Sequence, residues 1–86
     1  MKTVLITGAS SGLGTNIAKI FAKNRYNIVL NYNNSFDEAM KLKQELETYN
    51  VEGLPIKCDL TDEEQIKNMV NKTVEKFKNI DVLINN

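Results

Sequence analysis

Thr7-Gly8-Ala9-Ser10-Ser11-Gly12-Leu13-Gly14 is the stretch on which the fold turns. A buried-looking β run, Val4-Leu5-Ile6, leads into it, and a helical pattern of Ile17, Ile20 and Phe21 leads out. Strand, glycine-rich turn and helix in that order form a cradle for the pyrophosphate of a dinucleotide. Glycines let the backbone turn tightly and approach the phosphates. The free N–H groups and the dipole at the helix N-terminus then face the anion. The spacing is T-G-x-x-x-G-x-G, distinct from the G-x-G-x-x-G fingerprint. It is not a P-loop, because no lysine stands between Gly8 and Lys19.

Composition narrows the alternatives. At 86 residues the chain has room for one small domain. Lys+Arg and Asp+Glu are 11 each, so no net field recruits nucleic acid or a membrane surface. No apolar run is long enough to span a bilayer. Met1-Lys2-Thr3 runs straight into a strand, so no signal peptide is expected. The single cysteine, Cys58, rules out an internal disulfide and points to a reducing, cytoplasmic setting, where it fills space near a strand end. The absence of histidine removes Ser-His-Asp, Cys-His and most zinc chemistry, and no metal site is expected.

Strand and helix patterns alternate along the whole chain, which implies a parallel α/β sheet. The first strand is expected at Thr3 to Thr7. The first helix is expected from Gly12 to Asn24, with Leu13, Ile17, Ile20 and Phe21 on its inner face. A second strand covers Asn27 to Tyr32. A capping box of Ser35 and Glu38 opens the second helix, whose stripe is Ala39, Leu42, Leu46 and Tyr49. The third strand covers Leu54 to Cys58. A second box, Thr61 with Glu64, opens the third helix, with Ile66, Met69, Val70, Val74 and Phe77 at helical spacing. Val82-Leu83-Ile84 is the fourth strand. Pro55 lacks a ladder donor and belongs on an edge strand, where a 3-2-1-4 order puts it.

The glycine loop resembles that of the short-chain dehydrogenase/reductase family, and three further stretches extend the likeness over essentially all of the chain. Asn31-Tyr32-Asn33-Asn34-Ser35 follows the second strand, Cys58-Asp59-Leu60-Thr61 follows the third, and Asp81-Val82-Leu83-Ile84-Asn85-Asn86 is similar to the family's approach to N-N-A-G. The N-Y-x-x-S phrase resembles bacterial 3-oxoacyl-acyl-carrier-protein reductases and related sugar dehydrogenases. The resemblance implies an α/β, Rossmann-type parallel sheet. Residues 1–86 would be a β-α-β-α-β-α-β half with strand order 3-2-1-4, an incomplete dinucleotide-binding half-domain ending at strand four. It further implies that Gly8, Ala9, Ser10, Ser11, Gly12, Leu13 and Gly14 hold the pyrophosphate. Asn31 and Asn33 would lie by the adenosine ribose. The Asp59 carboxylate would accept from the adenine amino group beside the Leu60 N–H. Asn85 and Asn86 would combine a structural role with contacts to the cofactor ribose. Taken singly, Asp59 also reads as a turn acid before Thr61, and Asn85 and Asn86 as loop residues.

Charge bears on the choice of cofactor. A carboxylate closing the second strand selects NAD and repels the extra phosphate of NADP. Here that strand closes on Asn31, Tyr32 and Asn33, so NADP is favoured over NAD. The basic residue that many NADP-binding relatives carry in the loop is replaced by Ser11. A second departure is Arg25, which aligns with a glycine usual before the second strand; Asn24 is expected to take the left-handed geometry there.

The family's hydride transfer uses a Tyr-x-x-x-Lys pair, a Ser and an Asn downstream of N-N-A-G. Four residues beyond Tyr26, Tyr32 and Tyr49 stand Leu30, Phe36 and Gly53, so no catalytic residue is assigned in this chain. The expectation is the NAD(P)-binding portion of an oxidoreductase. The complete enzyme, a homo-oligomer, would pass hydride between NADP(H) and a small carbonyl or alcohol substrate such as 3-oxoacyl-acyl-carrier-protein. The alternative is a short polypeptide that binds a dinucleotide or a partner without catalysis.

Overall fold

The structure, a computed structural model, describes residues 1–86. Its elements are β1 (Thr3–Ile6), α1 (Gly12–Lys23), β2 (Asn27–Tyr32), α2 (Phe36–Glu47), β3 (Gly53–Lys57), α3 (Glu63–Phe77) and β4 (Val82–Ile84). The four strands form one parallel sheet, as the alternating pattern implies, in the order β3-β2-β1-β4 that the resemblance implies. Pro55 pairs with Leu30 from the edge strand β3, where its missing N–H leaves no central ladder bond unmade.

Alternation along the strands splits the core in two. Val4, Ile6, Ile28 and Leu30 pack against Ala18 and Ala22 of α1 and Leu42 and Leu46 of α2. Leu5, Val29 and Ile56 face the other way, toward Cys58 and Met69 of α3. The helices therefore cover both faces, as parallel strands require. No helix is long and apolar enough to cross a membrane.

The inner face of α1 differs from the expected one. Gly14, Ala18 and Ala22 are buried, with Ile17 and Phe21 at the flanks, while Leu13 and Ile20 are 66% and 59% exposed. Small residues let the helix axis come close to the sheet, so the bulkier apolar side chains are displaced to the sides. On α3 the buried pair is Met69 and Thr73, and Val70 and Val74 turn outward. Thr73 fits because its hydroxyl donates to the Met69 carbonyl at 2.8 Å.

Both expected capping boxes are replaced. Ser35 is the N-cap of α2 but its hydroxyl makes no capping bond; Asp37 and Glu38 offset the dipole instead. For α3 the cap moves one residue on, from Thr61 to Asp62. The Asp62 carboxylate accepts from the Glu64 and Gln65 N–H groups, and the Gln65 amide donates back to it at 3.1 Å. A carboxylate is the stronger acceptor for helix-end N–H groups, and it releases Thr61 for the preceding turn.

Left-handed geometry after α1 falls on Arg25 (φ 67), not on Asn24 (φ −96), against expectation. The reason lies in the hydrogen bonds. The Arg25 N–H donates to the Ala22 carbonyl at 3.0 Å and the Tyr26 N–H to Phe21 at 3.1 Å. This is the Schellman arrangement, which requires the left-handed residue at position 25. The ring of Tyr26 closes it edge-on against Phe21, with centroids 4.8 Å apart. Arg25→Gly is therefore expected to stabilise the fold by about 0.5–1 kcal/mol, the relieved strain exceeding the added chain entropy. A urea melt reads this as a raised midpoint at unchanged slope; a lowered midpoint would contradict it.

Candidate functional site

The expected site residues gather at the carboxyl end of the sheet, where open parallel sheets bind ligands. Thr7 leaves β1 there and acts as a hub, a role beyond those expected from the sequence. Its hydroxyl accepts from the Asn86 N–H at 2.9 Å and lies 3.2 Å from Asn85 Oδ1, to which it donates. Its N–H donates to the Ile84 carbonyl at 3.0 Å. The Asn86 amide donates to the Gly8 carbonyl at 3.2 Å. The two asparagines after β4 thus brace the start of the glycine loop. The clue in the sequence was the threonine that opens the T-G-x-x-x-G-x-G phrase.

The loop then spends some of its N–H groups and leaves others. Gly8 and Ala9 donate to residue Asn31, through Oδ1 at 3.2 Å and through its carbonyl at 3.1 Å. Gly14 and Thr15 donate to the Ser11 carbonyl. Ser10, Ser11, Gly12 and Leu13 have no backbone or side-chain acceptor for theirs within the chain. Ser11 is the N-cap of α1, yet its hydroxyl makes no cap bond and instead donates to the Gly8 carbonyl at 3.3 Å. Four adjacent donors at the head of a helix, with the positive end of its dipole, form an anion cradle.

Two glycines shape that cradle differently. A Cβ on Gly14 would meet the Gly8 carbonyl oxygen at 2.6 Å and the Ala9 Cα at 2.9 Å. Gly14 therefore lets α1 lie directly on the loop. Gly12 has φ +34 and nothing within 4 Å of its would-be Cβ, so it leaves the space above the free N–H groups open. That opening fits a pyrophosphate, and the dinucleotide would bring the hydride chemistry that this loop has no side chain to perform.

Beside the loop, the turn after β3 carries the expected adenine residues. Asp59 Oδ1 accepts from the Thr61 hydroxyl at 2.7 Å and from its N–H at 2.9 Å. These bonds hold its carboxyl below the usual range. The Gln65 side chain accepts from the Asp59 N–H at 2.8 Å and fixes the turn to α3. Cys58 is buried, and burial with the nearby Asp59 and Asp62 charges pushes its thiol up. Asn31 is buried, while Asn33 is exposed and makes no side-chain hydrogen bond to the loop. Leu60 lies at the rim of an apolar groove of about 380 Å³, which Leu5, Met69, Leu83 and Asn85 also line. No cluster of three or more Cys, Asp or Glu side chains is placed to hold a metal ion.

Comparison with known proteins agrees with this geometry. The family profile described as short chain dehydrogenase matches residues 2–86. The chain is 36% identical over 85 residues to the 3-oxoacyl-[acyl-carrier-protein] reductase FabG of Staphylococcus epidermidis, covering 99% of this chain and 35% of that protein. A dehydrogenase/reductase from Sinorhizobium meliloti superposes with a TM-score of 0.94 at 33% identity, over 99% of this chain and 34% of that one. An alcohol dehydrogenase from Thermococcus sibiricus, complexed with 5-hydroxy-NADP, gives 0.89 at 33% identity, over 96% of this chain and 35% of that one. The chain spans about a third of the length of the relatives it matches. Sheet order, glycine loop and the family profile agree that this chain belongs to the short-chain dehydrogenase family.

Proposed function

We propose that this chain binds NADP(H) as the cofactor-binding portion of a carbonyl reductase. The observation that carries it is the set of four unspent N–H groups from Ser10 to Leu13 beneath the open space at Gly12. Asn85 and Asn86 would meet the ribose side of the cofactor, and Asp59 with Leu60 the adenine. The free Oδ2 of Asp59 supports that assignment, since only Oδ1 is engaged within the chain. NADP is preferred because no carboxylate closes β2. The Thermococcus sibiricus relative, complexed with 5-hydroxy-NADP, supports the same choice.

The substrate class is proposed from the FabG relative: a 3-oxoacyl thioester, reduced to the hydroxyacyl form by the complete enzyme. These 86 residues hold no Tyr-x-x-x-Lys pair, so by themselves they bind and do not reduce. Fluorescence titration with NADPH and NADH tests the first point, with NADPH expected to bind more tightly. An NADPH-consumption assay with an acetoacetyl thioester tests the second, and no turnover is expected from the purified chain. Tighter binding of NADH, or turnover that co-purifies with the chain, would overturn the corresponding half. Coding sequence continuing past codon 86 into Tyr-x-x-x-Lys would favour the reductase over a binding-only polypeptide.

A further inference from the structure

Asn31, next to last in β2 at the strand's carboxyl end, has only 3% of its surface exposed. Its amide is used on both sides. Oδ1 accepts from the Gly8 N–H at 3.2 Å; Nδ2 donates to the Cys58 carbonyl at 3.1 Å and lies 3.5 Å from the Tyr32 carbonyl. Its own carbonyl takes the Ala9 N–H at 3.1 Å. The first two N–H groups of the loop are therefore both spent on one residue, and the next four are left for an anion. The same amide reaches the turn that carries Asp59. Only a group with an acceptor and a donor on opposite sides can span the loop and the turn, and here it does so with little of itself in contact with solvent.

We propose that Asn31 is a positioning residue that locks the glycine loop to the β3–α3 turn. It sets the spacing between the pyrophosphate donors and Asp59 and does not itself touch the dinucleotide. The proposal rests on the dinucleotide reading above and changes what position 31 does in it. A carboxylate at the end of β2 selects NAD only if it faces the ribose. At position 31 it would face the carbonyl oxygens of Cys58 and Tyr32 instead. The titratable groups on the surrounding elements are Cys58 and Asp59 on the turn, Asp62 at the head of α3, Tyr32 on β2 and the exposed Lys57 on β3, which pairs with Tyr32. The Gly8 N–H would still donate to a carboxylate at position 31, but no proton would remain for the Cys58 carbonyl, and the Cys58 and Tyr32 carbonyl oxygens would repel the charge. A neutral carboxyl would accept from Gly8 and donate to Cys58 much as the amide does.

Asn31→Asp is therefore expected to weaken NADPH and NADH binding by the same factor at pH 8, about tenfold or more. Affinity should recover as the pH falls toward the carboxylic-acid range, a recovery absent from the wild type and from Asn31→Leu. A shift of preference toward NADH in Asn31→Asp, or unchanged affinity in both variants, would overturn the proposal. A second measurement needs no ligand: the Gly8 amide should be protected from hydrogen exchange in the unliganded chain. Free exchange there would overturn the proposal. If that amide is protected and loses protection in Asn31→Leu, which has no acceptor for it, the lock stands; protection retained in Asn31→Leu would overturn it. Failure of the wild-type chain to bind either dinucleotide would then count against the proposed function alone.

Discussion

Gly14→Ala will cost this fold about 3 kcal/mol, at the upper end of what an overpacked site costs. Two of the three atoms that a Cβ would strike, the Gly8 carbonyl oxygen at 2.6 Å and the Ala9 Cα at 2.9 Å, belong to the backbone. The third is the Asn86 amide nitrogen at 2.9 Å, itself bonded to the Gly8 carbonyl. Relief requires α1 to lift from the loop, and Ala18 and Ala22 would leave the sheet with it. Against a total stability of about 5–15 kcal/mol this is a large fraction. Chemical denaturation of the two proteins, followed by circular dichroism, measures it. A difference under about 0.5 kcal/mol would mean that the loop yields freely.

Gly12→Val is expected to do the reverse: the fold survives and NADPH binding is lost, by about 100-fold or more. The new side chain meets no atom of the chain within 4 Å of its Cβ. Its cost to the fold is backbone strain at φ +34, about 1–2 kcal/mol. Its branches would occupy the space by the Ser10 to Leu13 N–H groups that the proposed pyrophosphate would take. Calorimetric titration of both proteins with NADPH, alongside thermal melts, separates the two effects. Equal affinities would reduce the loop to a turn. Together the two substitutions would divide the motif, with Gly14 serving packing and Gly12 the proposed ligand.

Much of the architecture was legible because it rests on local chemistry. Alternating β and helical periods lead to a parallel sheet, and the order β3-β2-β1-β4 is the one that the family resemblance implies and Pro55 agrees with. Helical periodicity located α1 but not the arc that it buries. Leu13 and Ile20 fit the period as well as Ala18 and Ala22 do, and only the close approach of helix to sheet chose the smaller pair. Capping boxes failed for a similar reason. A Ser or Thr three residues before a Glu satisfies the spacing, but Asp62 one position on is the better acceptor.

The sequence by itself determined the family, the parallel sheet and the place of the glycine loop, since all three follow from the order of residue types along a few contiguous stretches. Tertiary structure decided how those stretches meet. Thr7, Asn85 and Asn86 are nearly the whole chain apart, and parallel pairing of β1 with β4 brings them into one hydrogen-bonded group. Asn31 is likewise distant from Gly8 and Cys58 in sequence and touches both. Whether an asparagine at a strand end faces a ligand or a neighbouring backbone depends on which segments surround it. Only the folded chain fixes that, through the direction of each strand's pleat and the bonds its neighbours leave to be made.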